Sequence, residues 1–259
     1  MLREIARACE DASWDDAIRV VVRHRRGPRR SASARTCSEW AEHYLGKPTE
    51  YWKWFGAFKD MHDRLREIGK PTLARINGIA VGGGNELQMA CDLAVMVDDA
   101  FIRHVGLEHG SVPAGGATQW LTIMVGDRRA REIVLHVRGD PGCQGRGVGA
   151  RQPGRPGRGA RREVDAVVEN LARKLPQTTR YAKQHLNFWR DLAWHETINH
   201  ARDWLARRWR PTSRRPRSSV PGEEVTPTVS GQAQDSPGTD TVTVTGTDTG
   251  TVTVGGGHG

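Results

Sequence analysis

Residues 70–87 read Lys-Pro-Thr-Leu-Ala-Arg-Ile-Asn-Gly-Ile-Ala-Val-Gly-Gly-Gly-Asn-Glu-Leu, and no other stretch restricts the chain as tightly. The apolar run Thr72–Ile76 is expected to be a buried strand, with Ile79–Val81 a second strand beyond the Asn77-Gly78 turn. Gly82-Gly83-Gly84 then removes three consecutive Cβ atoms where the backbone must bend, so N–H groups can approach a ligand closely. The run from Glu86 to Val95 is helical in composition and has no breaker. Its amino end directs free N–H groups and a positive dipole end into the turn. That geometry suits an oxyanion hole, with Glu86 one turn in as a candidate acid or base. A solvated glutamate in a plain glycine-rich turn fits the same pattern, so the neighbours must decide.

The glycine turn sits among short strand–helix units. Leu2–Ala12 is expected to be a helix, Ala17–Val22 a strand, and Trp40–Lys59 helical around the Gly46-Lys47-Pro48 break. Met61–Ile68 reads as a further helix ended by Gly69. Leu93–Val97 and Phe101–Val105 read as strands, and the loop Gly110–Gln119 opens a helix over Thr118–Val125. Arg128–Leu135, Val164–Leu175, Thr178–Trp189 and Leu192–Arg208 complete the helices, with Trp189, Trp194 and Trp204 placed on apolar faces.

The stretch from Trp52 to Leu135 resembles the crotonase (enoyl-CoA hydratase/isomerase) superfamily. The resemblance rests on "KPTLARINGIAVGGGNELQMACDLAVMVDDAFIRHVG" and "GSVPAGGATQWLTIMVGDRRAREIVL", two glycine motifs at the family's spacing; the helices from Glu163 to Leu205 extend it more weakly. It implies an α/β fold, a spiral of ββα units with a helical carboxyl-terminal region. The implied chemistry is an acyl-CoA hydratase or hydrolase that stabilises a thioester enolate, with coenzyme A entering as part of the substrate and no separate cofactor. A homo-trimer or hexamer is implied as well.

Carried over residue by residue, one oxyanion donor is the Gly83 N–H. The other belongs to the alanine of a "G-A-D" motif, where this chain has Ser33, Ala34 and Arg35. Glu86 takes the first of the family's two glutamate positions, and Gly106 stands at the second, with Glu108 two residues later. Gly82, Gly84, Gly106, Ser111, Gly115 and Gly116 are the implied substrate-binding positions. A glycine at 106, followed by "GSV" and "GGATQW", resembles two branches of the family: a hydrolase that opens a cyclic 6-oxo-enoyl-CoA ring, and a dihydroxynaphthoyl-CoA synthase. "GGATQW" and the tryptophan-rich "EYWKW" favour the ring-opening branch. His104 and His109 flank the glycine loop as polar lining candidates, whereas Asp92, Asp98 and Asp99 read as cap or surface carboxylates. His195 and His200 read as structural. No metal is expected, since His104, Glu108 and His109 lack a zinc spacing.

Charge needs its distribution before it means anything. The net charge is +9, a value that invites a nucleic-acid partner. Yet 22–35, 138–162 and 207–217 hold 19 of the 39 Lys and Arg residues, and without them 20 basic residues face 29 acidic ones. Apart from Trp209 these blocks lack interleaved aromatics, so no nucleic-acid partner is expected and a basic nucleic-acid-binding protein is the disfavoured alternative. They also lack apolar periodicity. Read one or two bases out of frame, their degenerate codons permit the family's "G-A-D-L" near 30–37 and "W-G-L-V-N-x-V-V-P" after Arg138. The chain is therefore expected to carry frame-shifted stretches, and an inactive, frame-damaged relic of the family is the alternative reading.

The expected organisation is a core over 1–135 with 22–38 frame-suspect, an irregular segment over 136–162, helices over 163–209 and a low-complexity disordered tail over 210–259. Four scattered cysteines, no run of about 18 apolar residues and no signal-peptide pattern give a cytoplasmic expectation with no membrane partner.

Overall fold

A computed structural model of the chain describes residues 2–25, 43–97, 100–109, 111–137, 140–141, 158–208, 240–246 and 251–255. Helix α1 (Leu2–Trp14) buries Ile5, Ala6, Ala8, Cys9 and Ala12 on one stripe and leads into β1 (Ile18–Arg25). Helix α2 (Pro48–Glu67) starts at a proline, which suits the first helical turn where an N–H has no partner anyway. It absorbs the segment from Met61, expected as a separate helix, because nothing after Lys59 breaks the backbone.

Two ββα turns follow. Strands β2 (Thr72–Ile76) and β3 (Ala80–Val81) feed α3 (Gly83–Ala90); β4 (Leu93–Met96) and β5 (Phe101–Arg103) feed α4 (Ala117–Val125) through a short 3-10 turn at Leu107–His109. The first strand of each turn enters one sheet and the second enters another. β1 pairs parallel with β2, from Val21↔Thr72 to His24↔Arg75, and β2 pairs parallel with β4. β3 pairs parallel with β5 in the second sheet. This stacking is the expected α/β spiral, and it brings the starts of α3 and α4 together.

Helices α5 (Asp127–Leu135), α6 (Arg158–Ala172) and α7 (Pro176–Arg207) complete the carboxyl-terminal helical region. α7 joins two expected helices into one, since Arg190-Asp191 contains no breaker. Trp194 is fully buried, but Trp189 (67% exposed) and Trp204 (47%) point outward, correcting their expected packing. Trp194 stacks on Trp120 at 4.8 Å between ring centroids, and its indole N–H donates to Asp63 Oδ1 at 2.6 Å. The guanidinium of Arg66 lies 5.4 Å from the Trp120 ring centre and that of Arg190 5.0 Å from it. These contacts fasten α4 between α2 and α7, directly behind the glycine loop.

Three expectations are corrected. Asp92 is neither cap nor surface: it accepts from the Thr72 N–H and hydroxyl and pairs with the buried Lys183 at 2.8 Å, tying β2 to α7. Within the segment expected to be irregular, Asp140–Pro141 forms a short strand, β6, against β5, and α6 already begins at Arg158. In the tail, β7 (Asp240–Gly246) and β8 (Thr251–Gly255) form an antiparallel hairpin, and β7 pairs antiparallel with β1. β-Branched Thr and Val suit a pleated strand, and the outer edge of β1 supplies the ladder partners that composition alone could not reveal. Residues 26–42, 142–157 and 209–239, which carry most of the frame-suspect sequence, lie outside the described residues.

Candidate active site

Of the three glycines, Gly82 is required by its backbone. It caps α3 at φ 55°, a conformation side chains rarely adopt, and a Cβ there would meet nothing within 4 Å. At Gly83 a Cβ would make ordinary contact with the Phe58 ring at 3.6 Å. The Gly82 N–H donates to the Arg103 carbonyl at 3.0 Å, and the Gly82 carbonyl accepts from the N–H groups of Asn85 and Glu86. Gly83 and Gly84 thus occupy the first helical positions, whose N–H groups have no acceptor inside the helix.

Glu86 lies one turn further in and is 7% exposed. Its Oε1 accepts a hydrogen bond from the Gly115 N–H at 2.8 Å, which joins α3 to the loop opening α4. Burial raises the Glu86 carboxyl to about 7, against the opposing pull of the Gly115 bond. A carboxyl at that value can take or give a proton near neutral pH.

Gly115 is a glycine because of this approach: a Cβ would fall 2.5 Å from Glu86 Oε2 and 2.5 Å from a Phe58 ring carbon. Gly116 caps α4 at φ 117°, where a Cβ would strike the Trp120 ring at 2.4 Å. Gly106 and Ser111 close a tight loop, with the Ser111 N–H donating to the Gly106 carbonyl at 2.7 Å. Glu108 is engaged by Arg103 at 2.9 Å on the surface. Of His109 only the backbone is described, and Ser33–Arg35, Asp98 and Asp99 lie outside the described residues. His195 and His200 face solvent on α7. His195 approaches Asp63 and Glu67, but Asp63 already bonds Lys59, Arg66 and Trp194.

Sequence reading missed the aromatic wall. Tyr51, Phe55, Phe58 and His62 recur at helical spacing along α2, and that spacing was the available signal. Phe58 wedges between Gly83 and Gly115 and stacks on Trp54 at 5.3 Å. Burial, then the Glu86 charge, push the Tyr51 phenol upward. Also missed was a buried polar chain: Gln88 donates to Asn85 Oδ1 at 2.7 Å, and Asn85 Nδ2 meets His104 Nε2 at 2.7 Å.

A buried carboxyl and helix-start N–H groups thus meet at a glycine turn on a two-sheet ββα spiral of the α/β class. The chain belongs to the enoyl-CoA hydratase/isomerase family, whose model matches residues 1–206. It is 36% identical over 130 residues to a 6-oxocyclohex-1-ene-1-carbonyl-CoA hydrolase of Geobacter metallireducens, covering 50% of this chain and 34% of that protein. Against the enzyme of the same description from Thauera aromatica the identity is 35% over the same shares. The alignments thus span about a third of the length of these curated relatives. Among solved structures, Pseudomonas aeruginosa DspI superposes with a TM-score of 0.68 at 24% identity, covering 80% of this chain and 83% of that one. An enoyl-CoA hydratase from Mycobacterium avium subsp. paratuberculosis gives 0.66 at 20%, covering 79% and 77%. No described helix is long and apolar enough to cross a membrane.

Proposed function

We propose that this family member adds water to a cyclic 6-oxo-enoyl-CoA and opens its ring. The single observation carrying the reading is Glu86, buried, near-neutral in pKa, bound to Gly115 N–H and one turn from the helix-start donors. In this mechanism the thioester oxygen accepts from the Gly83 N–H. A preorganised donor aimed at the charge developing there contributes about 3–4 kcal/mol in the transition state. Glu86 takes a proton from the water that adds to the ring double bond and returns it to C1. A second water then attacks the 6-oxo carbonyl, the C1–C6 bond breaks to give a terminal carboxylate, and its electron pair passes into the thioester enolate, which Glu86 reprotonates at C1. Coenzyme A arrives on the substrate, and no cofactor or metal takes part.

A glycine at 106 leaves one carboxylate to serve water where family hydratases use two, which supports the hydrolase reading over simple hydration; the names of the Geobacter and Thauera relatives support it too. Gly82 and Gly84 admit the thioester to the turn, Gly106, Gly115 and Gly116 keep the wall low, and Ser111 hydrogen-bonds the substrate. Trp189, Leu192 and Ile123, exposed around a groove of about 420 Å³ on α4 and α7, supply an apolar face for a homo-trimer or hexamer.

The second reading, a damaged relic, is favoured by one observation: Ser33-Ala34-Arg35 stands where the family supplies its second donor. Assaying this chain and a frame-restored one on crotonyl-CoA and 6-oxocyclohex-1-ene-1-carbonyl-CoA, each with a Glu86→Gln control, separates the readings. Turnover of the cyclic substrate that disappears in Glu86→Gln is the expected result. Turnover in the restored chain alone makes the present chain the relic. Folded but inert proteins in both cases reject the substrate and the role of Glu86.

A further inference from the structure

Residues 103 and 104 hold the two ends of the α3 start. The Arg103 carbonyl accepts from the Gly82 N–H at 3.0 Å, and His104 Nε2 meets Asn85 Nδ2 at 2.7 Å. Between these two ties lie Gly83 and Gly84, the residues with free helix-start N–H groups. The direction of the second tie follows from the Asn85 atom that makes it. That atom is the amide nitrogen Nδ2, which can only donate, while Asn85 Oδ1 accepts from Gln88 Nε2 at 2.7 Å. His104 Nε2 is therefore the acceptor, and the proton of the neutral ring sits on Nδ1. That nitrogen is buried and finds no hydrogen-bond partner among the described residues. The ring is 1% exposed, and burial alone lowers it to about 4, so it stays neutral across the working pH range.

We propose that His104, as the Nδ1–H tautomer, is a positioning residue that orients the Gly83–Gly84 N–H pair by holding Asn85 through Nε2. The proposal deepens the reading of Gly83 as an oxyanion donor and rests on it. An imidazole is a rigid acceptor on a strand end, and Asn85 is adjacent to both Gly84 and Glu86. A slack tie would let the first turn of α3 rotate, moving the donors and the carboxyl together. Such displacements of about 1 Å are felt in the chemical step more than in substrate binding.

Two measurements test this, one of them needing no substrate. In a two-bond ¹H–¹⁵N spectrum of the ¹⁵N-histidine-labelled full chain, the signal lost in His104→Gln belongs to His104. Nδ1-protonated, Nε2-unprotonated shifts at pH 7.5 are expected, and Nε2 protonation overturns the proposal even if the enzyme is active. In turnover, His104→Leu is expected to lose about tenfold or more in kcat with KM within about twofold. His104→Gln, whose amide oxygen can accept from Asn85, is expected to keep kcat within about threefold. Equal losses in both variants, or a loss confined to KM, overturn the proposal. If no acyl-CoA is turned over, the substrate reading fails and the tautomer spectrum decides this one. If His104→Leu does not fold, the spectrum and His104→Gln decide it.

Discussion

Replacing Glu86 with Gln trades chemistry for stability, and the size of the trade is set by burial. The carboxyl stands at about 7 in the folded chain against 4.5 for an unperturbed glutamate, burial being the dominant cause. The folded state therefore holds this proton more tightly than the unfolded state does. Stability contributed by the protonated carboxyl is complete below about pH 4.5 and is lost as pH rises through about 7. A tenfold difference in proton affinity between the folded and unfolded chain is worth about 1.4 kcal/mol, so wild type gives up about 3 kcal/mol across this window that Glu86→Gln does not. For a domain of this size that is about 6–12 °C in Tm. The fixed penalty of burying an amide in place of the acid is the same at every pH. The test is the difference in Tm between variant and wild type at pH 5 and at pH 8, by circular dichroism at fixed ionic strength. The variant is expected to gain on wild type by several degrees between the two pH values while losing about 10²–10⁴ in kcat. A Tm difference that does not change with pH would refute the reasoning, because it would mean that the carboxylate is solvated in the folded state.

Gly115→Ala places a methyl group 2.5 Å from Glu86 Oε2 and from Phe58, so the loop must shift; a stability loss of about 1–3 kcal/mol in urea titration and a fall in kcat of about 10² are expected. Lys183→Met leaves Asp92 without its cation and is expected to cost about 3–5 kcal/mol, whereas the double change with Asp92→Asn recovers part of that loss in the same titration. The proposed trimer or hexamer is tested by light scattering: wild type is expected at an oligomer's mass and Trp189→Ser with Leu192→Ser at a lower one, with circular dichroism unmoved because both side chains are exposed.

The glycine turn, the strands around it and the place of Glu86 in the first turn of α3 were legible because each follows from a local rule. Strand Thr72–Ile76 falls where the apolar run placed it, and α3 begins at the turn. What the sequence could not carry was distance. Nothing in the string "GGNEL" says that the partner of Glu86 is Gly115, twenty-nine residues on, or that an α2 phenyl ring fills the space between them. Nor does a histidine two residues before Gly106 advertise that it is buried against Asn85, whose amide nitrogen meets its Nε2 at 2.7 Å. Asp92 reads as a surface residue because its cation comes from α7, and α2 and α7 each read as two helices because charged pairs, Lys59-Asp60 and Arg190-Asp191, interrupt a buried stripe that in the fold runs on along one face.

The β7–β1 ladder joins the end of the chain to its beginning, with roughly 215 residues between Arg25 and Asp240. At a synthesis rate of about 5–20 residues per second, the outer edge of β1 waits about 10–40 s on the ribosome before its partner strand exists. During that interval the edge of β1 that β7 covers is available to any other extended chain, so this pairing is exposed to mispairing.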